Sequence, residues 1–182
     1  MDRKKTKTMT ECAIMITLSL ILNLIPIIKL PNGGSVTAGS LSPIIIFSIN
    51  NRVRWGLLCS FIYSLINMII SFHVPPTKSL SGFTMVIIFD YFLSSLPIGI
   101  SRIFYNRTKY FSIFIIMAIR YICFVISGVL IWKDYVPSGI PVLTYSIIYN
   151  AMYMLPETII TYILSKVMIK SIEKFKNLNK GE

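Results

Sequence analysis

Six apolar runs follow one another along the chain, and they constrain its fold more than any other feature. About 20 apolar residues cross the hydrocarbon core of a bilayer as a helix, and most of the runs approach that length. The chain is 54% hydrophobic and 14% charged, whereas soluble domains contain about 25% charged residues. The sequence therefore predicts an all-α membrane protein, a six-transmembrane-helix bundle formed by one domain over residues 1–182. The predicted spans cover approximately residues 9–28, 36–50, 55–72, 80–101, 110–131 and 141–169, and the short second span is expected to be tilted or partly re-entrant.

The basic residues are distributed unevenly between the two sides of the predicted bundle. Fourteen of the 18 Lys and Arg residues lie before span 1, between spans 2 and 3, between spans 4 and 5, or from the end of span 6 onward (Lys166 and later). The other loops contain only Lys29, Lys78 and Lys133, and Arg120 lies inside span 5. Because cytoplasmic loops are enriched in basic residues, we expect both termini in the cytoplasm and the segment NGGSVTAGS (residues 32–40) outside. This orientation accounts for the net charge of +11 without a nucleic-acid partner.

Three ionisable residues, Asp90, Arg120 and Glu157, interrupt the apolar runs. A charge at mid-bilayer costs at least about 2.5–3.5 kcal/mol, so such residues normally face a protein interior or a wet cavity. Counting along helices from the outer ends places Asp90 and Arg120 roughly 15–17 Å deep. Glu157 is expected deeper, toward the cytoplasmic half and beyond a kink at Pro156. An ion pair between Arg120 and Glu157 inside the bundle is the alternative to a functional role.

Other polar and aromatic residues of the outer half are expected to gather around Asp90. A carboxylate surrounded by aromatic faces suits a flat, cationic, aromatic ligand, because rings attract cations and an amide can fix polar ring groups. For Trp132 and Tyr145 the alternative is a place in the interfacial aromatic belt. Neither a catalytic set nor paired metal ligands are visible, so we expect no enzyme activity, no metal and no cofactor. The predicted binding residues are Asp90, Tyr91, Trp132, Tyr145 and Asn150.

Three segments, LPNGGSVTAGSLSPI, FDYFLSSLPIGI and GVLIWKDYVPSGIPVLTYSIIYN, resemble in order and spacing the thiamine-specific S-component of energy-coupling factor (ECF) transporters. The resemblance implies a subunit of the bacterial plasma membrane that binds a vitamin from outside. It also implies partners, namely a membrane T-component and two cytoplasmic ATPases. ATP hydrolysis would make the S-component topple in the membrane and release the vitamin inside.

The resemblance also assigns roles to individual residues. The acidic–aromatic pair of the family's fourth span matches Asp90 and Tyr91, and the tryptophan after its fifth span matches Trp132. The tyrosine and asparagine of the sixth span match Tyr145 and Asn150. The first outer loop acts as a lid in the family, and a small-residue face of span 1 packs against the T-component. The residues that match these two features are Gly33, Gly34 and Ser35 for the lid, and Ala13 and Thr17 for the packing face.

Some positions depart from the family pattern. Members carry a glutamate near the start of span 2 and a histidine in span 5, where this chain has residues 37–40 without an acid and Phe124. The acid of span 4 is Asp90 rather than glutamate. These differences leave alternatives open: a thiamine precursor or another vitamin such as riboflavin as the cargo. A small membrane-embedded enzyme or assembly factor using the three ionisable residues is a further alternative.

Overall fold

The structure, a computed structural model, describes residues 3–31, 33–76 and 79–178. Asn32, Lys78 and Lys180, which enter the predictions about the outer segment and the loop charges, lie outside the described residues. Helices dominate the described part, and one small antiparallel hairpin is added to them. The elements are α1 (Arg3–Leu24), β1 (Pro26–Lys29), β2 (Ser35–Thr37), α2 (Ser42–Asn50), α3 (Val53–Ile70), α4 (Leu80–Gly99), α5 (Ser101–Thr108), α6 (Ser112–Leu130) and α7 (Val142–Leu178).

The prediction of a six-helix membrane bundle is confirmed, with α1, α2, α3, α4, α6 and α7 in the places of the six runs. Among the described residues, five helical segments are long and apolar enough to cross a membrane, and α2 is the exception. With nine residues, α2 is about 14 Å long, which is less than half of a bilayer core. Its first eight residues are all buried in the protein, so this run forms part of the bundle interior.

The predicted end of span 1 and start of span 2 are wrong, because both segments join the hairpin. Helix α1 ends at Leu24, and Pro26 begins β1. Proline disfavours helical geometry in the residue before it and lacks the amide that a helix needs. Antiparallel pairing of β1 with β2 places Pro26 opposite Thr37 and Lys29 opposite Ser35. The segment after Leu24 cannot continue the helix, and the hairpin supplies its backbone hydrogen bonds instead.

Two further helix boundaries differ from the prediction. Residues 102–109, expected as a loop, mostly belong to α5, which a sharp turn at Lys109 (φ 50°) separates from α6. The predicted span 6 ends near residue 169, whereas helix α7 continues through Pro156 to Leu178. The apolar run therefore underestimates the length of α7, because the last turns of this helix are polar.

One half of the bundle, which we call the packed half, contains the larger cluster of buried hydrophobic residues. Isoleucines from α2, α4 and α6 meet there, and none is more than 1% exposed. Helices α3 and α4 approach each other closely at Gly56 and Gly99, where a Cβ atom on Gly56 would collide with the carbonyl oxygen of Gly99. Glycine is required at this crossing because any side chain would separate the two backbones. The fully buried isoleucines are Ile44, Ile45, Ile46, Ile98, Ile113 and Ile116.

The middle of α4 is a π-helical segment, Ile87–Leu93. It contains Asp90 and Tyr91, and the hydroxyl of Ser94 donates a hydrogen bond of 2.6 Å to the carbonyl oxygen of Asp90. A π turn holds an extra residue compared with an α turn, and such turns are frequent at functional sites. The local winding therefore determines which α4 side chains face the centre of the other half of the bundle.

Candidate functional site

The other half of the bundle, which we call the cavity half, encloses a cavity of about 870 Å³. Its walls come from the C-terminal ends of α1 and α3, the middle of α4, the second half of α6 and the first four turns of α7. The glycine strip, defined here as residues 33–40, contributes further lining residues. Small-molecule sites usually occupy about 300–1,000 Å³, so the cavity is large enough for a vitamin. The five predicted binding residues all line it: Asp90, Tyr91, Trp132, Tyr145 and Asn150.

Asp90 and Trp132 are joined by a hydrogen bond inside the cavity. The indole Nε1 of Trp132 donates to Oδ2 of Asp90 at 3.0 Å, and the Trp132 ring stacks on Tyr135 with centroids 5.9 Å apart. This geometry argues against the aromatic-belt alternative for Trp132, because its polar edge points to a protein carboxylate. The bond orients the carboxylate and the indole together, so that a cation could contact both.

Tyr91 is buried and fixes the rim of the cavity. Its hydroxyl donates to the carbonyl oxygen of Ser71 at 2.6 Å and accepts from the backbone N–H of His73 at 3.2 Å. The ring also stacks against Phe72, with centroids 6.0 Å apart. Tyr91 therefore holds the segment after α3 in place while its ring lines the cavity.

A ladder of tyrosines on α7 forms one wall. The rings of Tyr145 and Tyr149 stack with centroids 5.7 Å apart, and Tyr149 meets Tyr153 edge to face at 6.3 Å. Residues four apart lie on nearly the same face of a helix, with a drift of about 40° per step. Tyr145 and Asn150 are separated by roughly 140° around the helix, and the rings of Tyr149 and Tyr153 lie at intermediate angles. One broad cavity therefore contacts both Tyr145 and Asn150.

The amide of Asn150 is buried and makes several hydrogen bonds within the protein. Its Nδ2 donates to the carbonyl oxygen of Ser146 at 2.8 Å and, more weakly, to that of Phe124 at 3.4 Å. Its Oδ1 accepts from the hydroxyl of Tyr153 at 2.7 Å. Asn150 thus ties α7 to α6 and orients the ladder. A direct role in fixing a ligand stays a prediction.

Arg120 and Glu157 both line the cavity, but they do not form the ion pair considered above. The Arg120 Nη1 donates to the carbonyl oxygen of Ser94, and its guanidinium lies 5.4 Å from the ring centre of Phe124. Both oxygens of Glu157 accept hydrogen bonds from Thr37. Among the described residues, the structure contains one ion pair within 4.0 Å, between Lys7 and Glu11.

The glycine strip lies against α7. Gly33 has a φ of 104°, which side chains rarely allow. A Cβ atom on Gly34 would lie 2.5 Å from the Tyr153 ring, and the Gly34 N–H points to the hydroxyl of Tyr149 at 3.5 Å. Gly33, Gly34 and Ser35 all line the cavity. The strip therefore forms part of the cavity wall, and its glycines allow the backbone to approach the tyrosine ladder.

Comparison with known proteins identifies the family. The family described as "Thiamine transporter protein (Thia_YuaJ)" matches residues 9–177. The chain is 30% identical over 180 residues to the thiamine transporter ThiT of Bacillus subtilis (strain 168), covering 88% of this chain and 89% of that protein. The chain belongs to this thiamine transporter family.

Solved structures match the fold of this family member. A structure of ThiT from Listeria monocytogenes superposes with a TM-score of 0.77 at 19% identity, covering 94% of this chain and 98% of that one. The S component of a bacterial ECF transporter superposes with a TM-score of 0.60 at 16% identity, covering 97% and 99%. This thiamine transporter family member is therefore a multi-pass membrane protein with the fold of an S component.

The predicted packing face of this family member lies away from the cavity. Ala13 and Thr17 are exposed on α1, and the Thr17 hydroxyl donates to the carbonyl oxygen of Ala13 at 2.9 Å. Both side chains are small and lie on the outside of the bundle. Contact with a T-component through it stays a prediction.

Sequence reasoning did not commit to Tyr149, Tyr153 or Glu157 as site residues, although a signal was present. Together with Tyr145 they recur every four residues, which is the spacing of one helix face. Glu157 was also placed too far from the cavity, because depth was counted without the surrounding elements. The structure places it on the cavity wall, facing the glycine strip.

Proposed function

We propose that this chain is the substrate-binding S-component of an ATP-driven ECF-type vitamin importer and binds thiamine from outside the cell. Membership of the thiamine transporter family and the S-component fold support this proposal. The subunit binds its cargo without chemistry of its own. Its partners are a membrane T-component and two cytoplasmic ATPases, and its location is the bacterial plasma membrane with both termini in the cytoplasm.

The observation that carries the proposal is the pairing of Asp90 with Trp132 in a cavity walled by tyrosines. Thiamine combines a positively charged thiazolium ring with a flat pyrimidine ring. The carboxylate of Asp90 offsets the charge, and the faces of Trp132 and Tyr145 can stack on the rings and attract the cation. The size of the cavity is also compatible with this ligand.

A fluorescence titration of the detergent-purified protein tests the proposal. The chain has two tryptophans, and Trp55 packs against the core near the start of α3. The Trp55→Phe variant therefore leaves Trp132 as the reporter. We expect saturable quenching by thiamine at submicromolar concentration, because the ligand stacks on Trp132.

The same titration separates the alternatives. A response to a pyrimidine or thiazole precursor, or to riboflavin, without a response to thiamine would assign a different cargo to the same class of transporter. No response to any of these compounds would contradict a vitamin-binding role, provided that a cooperative thermal unfolding transition shows that the protein is folded.

A further inference from the structure

Glu157 is a buried carboxylate whose two oxygens are both bonded to one residue of the glycine strip. Oε2 accepts from the backbone N–H of Thr37 at 2.6 Å, and Oε1 accepts from the Thr37 hydroxyl at 2.7 Å. Glu157 is 5% exposed and Thr37 is 3% exposed. Both distances are short for hydrogen bonds, so this is a firm attachment between two distant parts of the chain.

The contact is part of a small network at the base of the strip. The backbone N–H of Ser40 donates to the Thr37 hydroxyl oxygen at 3.1 Å, and the Ser40 hydroxyl lies 2.9 Å from the same atom. Higher on the strip, the contact of Gly34 with Tyr149 is long, at 3.5 Å. The shortest hydrogen bonds between the strip and α7 are therefore those at Thr37, and β2 also stays paired with β1.

The position of this attachment relates it to ligand exchange. The glycine strip and Glu157 line the same cavity, so the strip forms one wall around a ligand inside. A ligand of vitamin size leaves toward this side only if the strip moves away from α7. Movement of the whole strip requires separation of Thr37 from Glu157.

We propose that Glu157 is a positioning residue that holds the glycine strip over the cavity through Thr37, and that breaking this contact limits release of the ligand. The part that concerns the ligand rests on the proposed function. Glu157 acts on the ligand through the strip, and the contact is rebuilt each time the strip closes.

Dissociation kinetics of thiamine, followed by the fluorescence of Trp132, test the proposal. Glutamine keeps one acceptor oxygen, and its N–H₂ group cannot accept from the Thr37 hydroxyl, so Glu157→Gln weakens the attachment. We expect the dissociation rate to rise by about tenfold or more, with a much smaller change in the association rate. Thr37→Val, which removes the hydroxyl at similar size, should act in the same direction, and Thr37→Ser should keep a slow, near wild-type rate.

The double variant and a matched control make the result specific. Since both residues act through one contact, Glu157→Gln combined with Thr37→Val should release thiamine little faster than the faster single variant. Glu173 is a second carboxylate of α7 that accepts two hydroxyl groups, from Tyr105 at 3.2 Å and from Tyr110 at 3.4 Å. Glu173→Gln should leave the release rate unchanged. Wild-type release rates in folded Glu157→Gln, or effects that multiply in the double variant, would overturn the proposal.

A readout without ligand separates this inference from the proposed function. Cys12, Cys59 and Cys123 are free and buried, so a Ser35→Cys variant can be labelled selectively by a water-soluble maleimide. Adding Glu157→Gln should speed labelling several-fold. Faster labelling in a protein that does not bind thiamine would refute the cargo and retain the attachment, whereas unchanged labelling would refute the attachment. If Glu157→Gln does not fold, Thr37→Val, which leaves the Glu157 carboxyl group in place, carries the same prediction.

Discussion

The cavity half and the packed half are built from the same long helices, but they bury different chemistry. In the packed half, α2 is buried from Ser42 to Ile49, and isoleucines fill the space between helices. In the cavity half, the buried polar residues include Arg120, Asn150 and Glu157, and they surround a volume of about 870 Å³. The packed half is a close-packed hydrophobic core, and the cavity half surrounds a cavity lined by polar and aromatic residues.

Because of this difference, residues of one helix should contribute to stability in the packed half and to ligand binding in the cavity half. Buried charges and amides are costly in a membrane unless they have partners, and here they occur where helices spread around the cavity. Small buried serines, such as Ser48 and Ser112, are the polar residues of the packed half and allow close helix packing. Substitutions in the packed half should therefore change unfolding, and those in the cavity half should change ligand affinity.

The largest effect is expected for Ile45→Ala in the packed half. Ile45 is fully buried in α2, and truncation of a buried isoleucine costs about 2–5 kcal/mol of stability because a cavity remains. The free energy of unfolding in detergent should fall by that amount, while thiamine affinity in the surviving folded protein stays within about twofold. A loss of affinity without a loss of stability would break the comparison between the halves.

Asp90→Asn should produce the largest effect on binding. Asparagine keeps an oxygen that can accept from Trp132 Nε1, so the substitution removes mainly the charge. We expect calorimetry to show a loss of thiamine affinity of more than about 1.5 kcal/mol, with a nearly unchanged unfolding midpoint. An uncharged analogue of the ligand is the control, since its affinity should not depend on the charge. Wild-type affinity of Asp90→Asn for thiamine would place the cation site elsewhere.

Trp132→Phe should have a smaller effect on binding. Phenylalanine keeps an aromatic face for stacking but loses the N–H that donates to Asp90 at 3.0 Å. Loss of this hydrogen bond should weaken thiamine binding by about 0.5–1.5 kcal/mol, because water can take the place of the indole N–H at the carboxylate. Combining Trp132→Phe with Asp90→Asn should give less than the sum of the two losses, and full additivity would show that the bond does not matter for binding.

Lys166→Ala should have the smallest effect. Lys166 lies in the C-terminal half of α7, where its ammonium group is 5.3 Å from the ring centre of Tyr162 and 6.0 Å from that of Tyr110. A partly exposed cation–π contact contributes about 0.5–1 kcal/mol, so stability should fall slightly and thiamine affinity should not change. A large loss of affinity in the titration would mean that the cavity has been assigned to the wrong half.

Much of the fold could be predicted from the sequence, because hydrophobic length is a local property. The apolar runs indicated six helices, and the short second run was recognised as unusual before α2 proved to be an interior helix. The helix ends were less predictable. Pro26 is a clear stop signal, but the pairing of β1 with β2 depends on contacts that composition does not encode.

For the site, residue type was more informative than position. The sequence predicts that Asp90 and Trp132 share one pocket, and in the structure Trp132 Nε1 lies 3.0 Å from Asp90 Oδ2 on the wall of the cavity. Their role in binding thiamine stays a prediction. Tyr149 and Tyr153 could have been found from their spacing. The partner of Glu157 could not, because Thr37 is 120 positions away in the chain.

The sequence alone determined that this chain inserts in a membrane as a helical bundle with a few costly polar groups, because the free energy of burying each residue depends mainly on its own side chain. Only the tertiary structure decided what those groups do. The π segment around Asp90, the separation of Arg120 from Glu157 and the attachment of Glu157 to the glycine strip all depend on how distant helices pack. Hydrogen bonds require positions accurate to a few tenths of an ångström, and such accuracy arises from the assembled bundle.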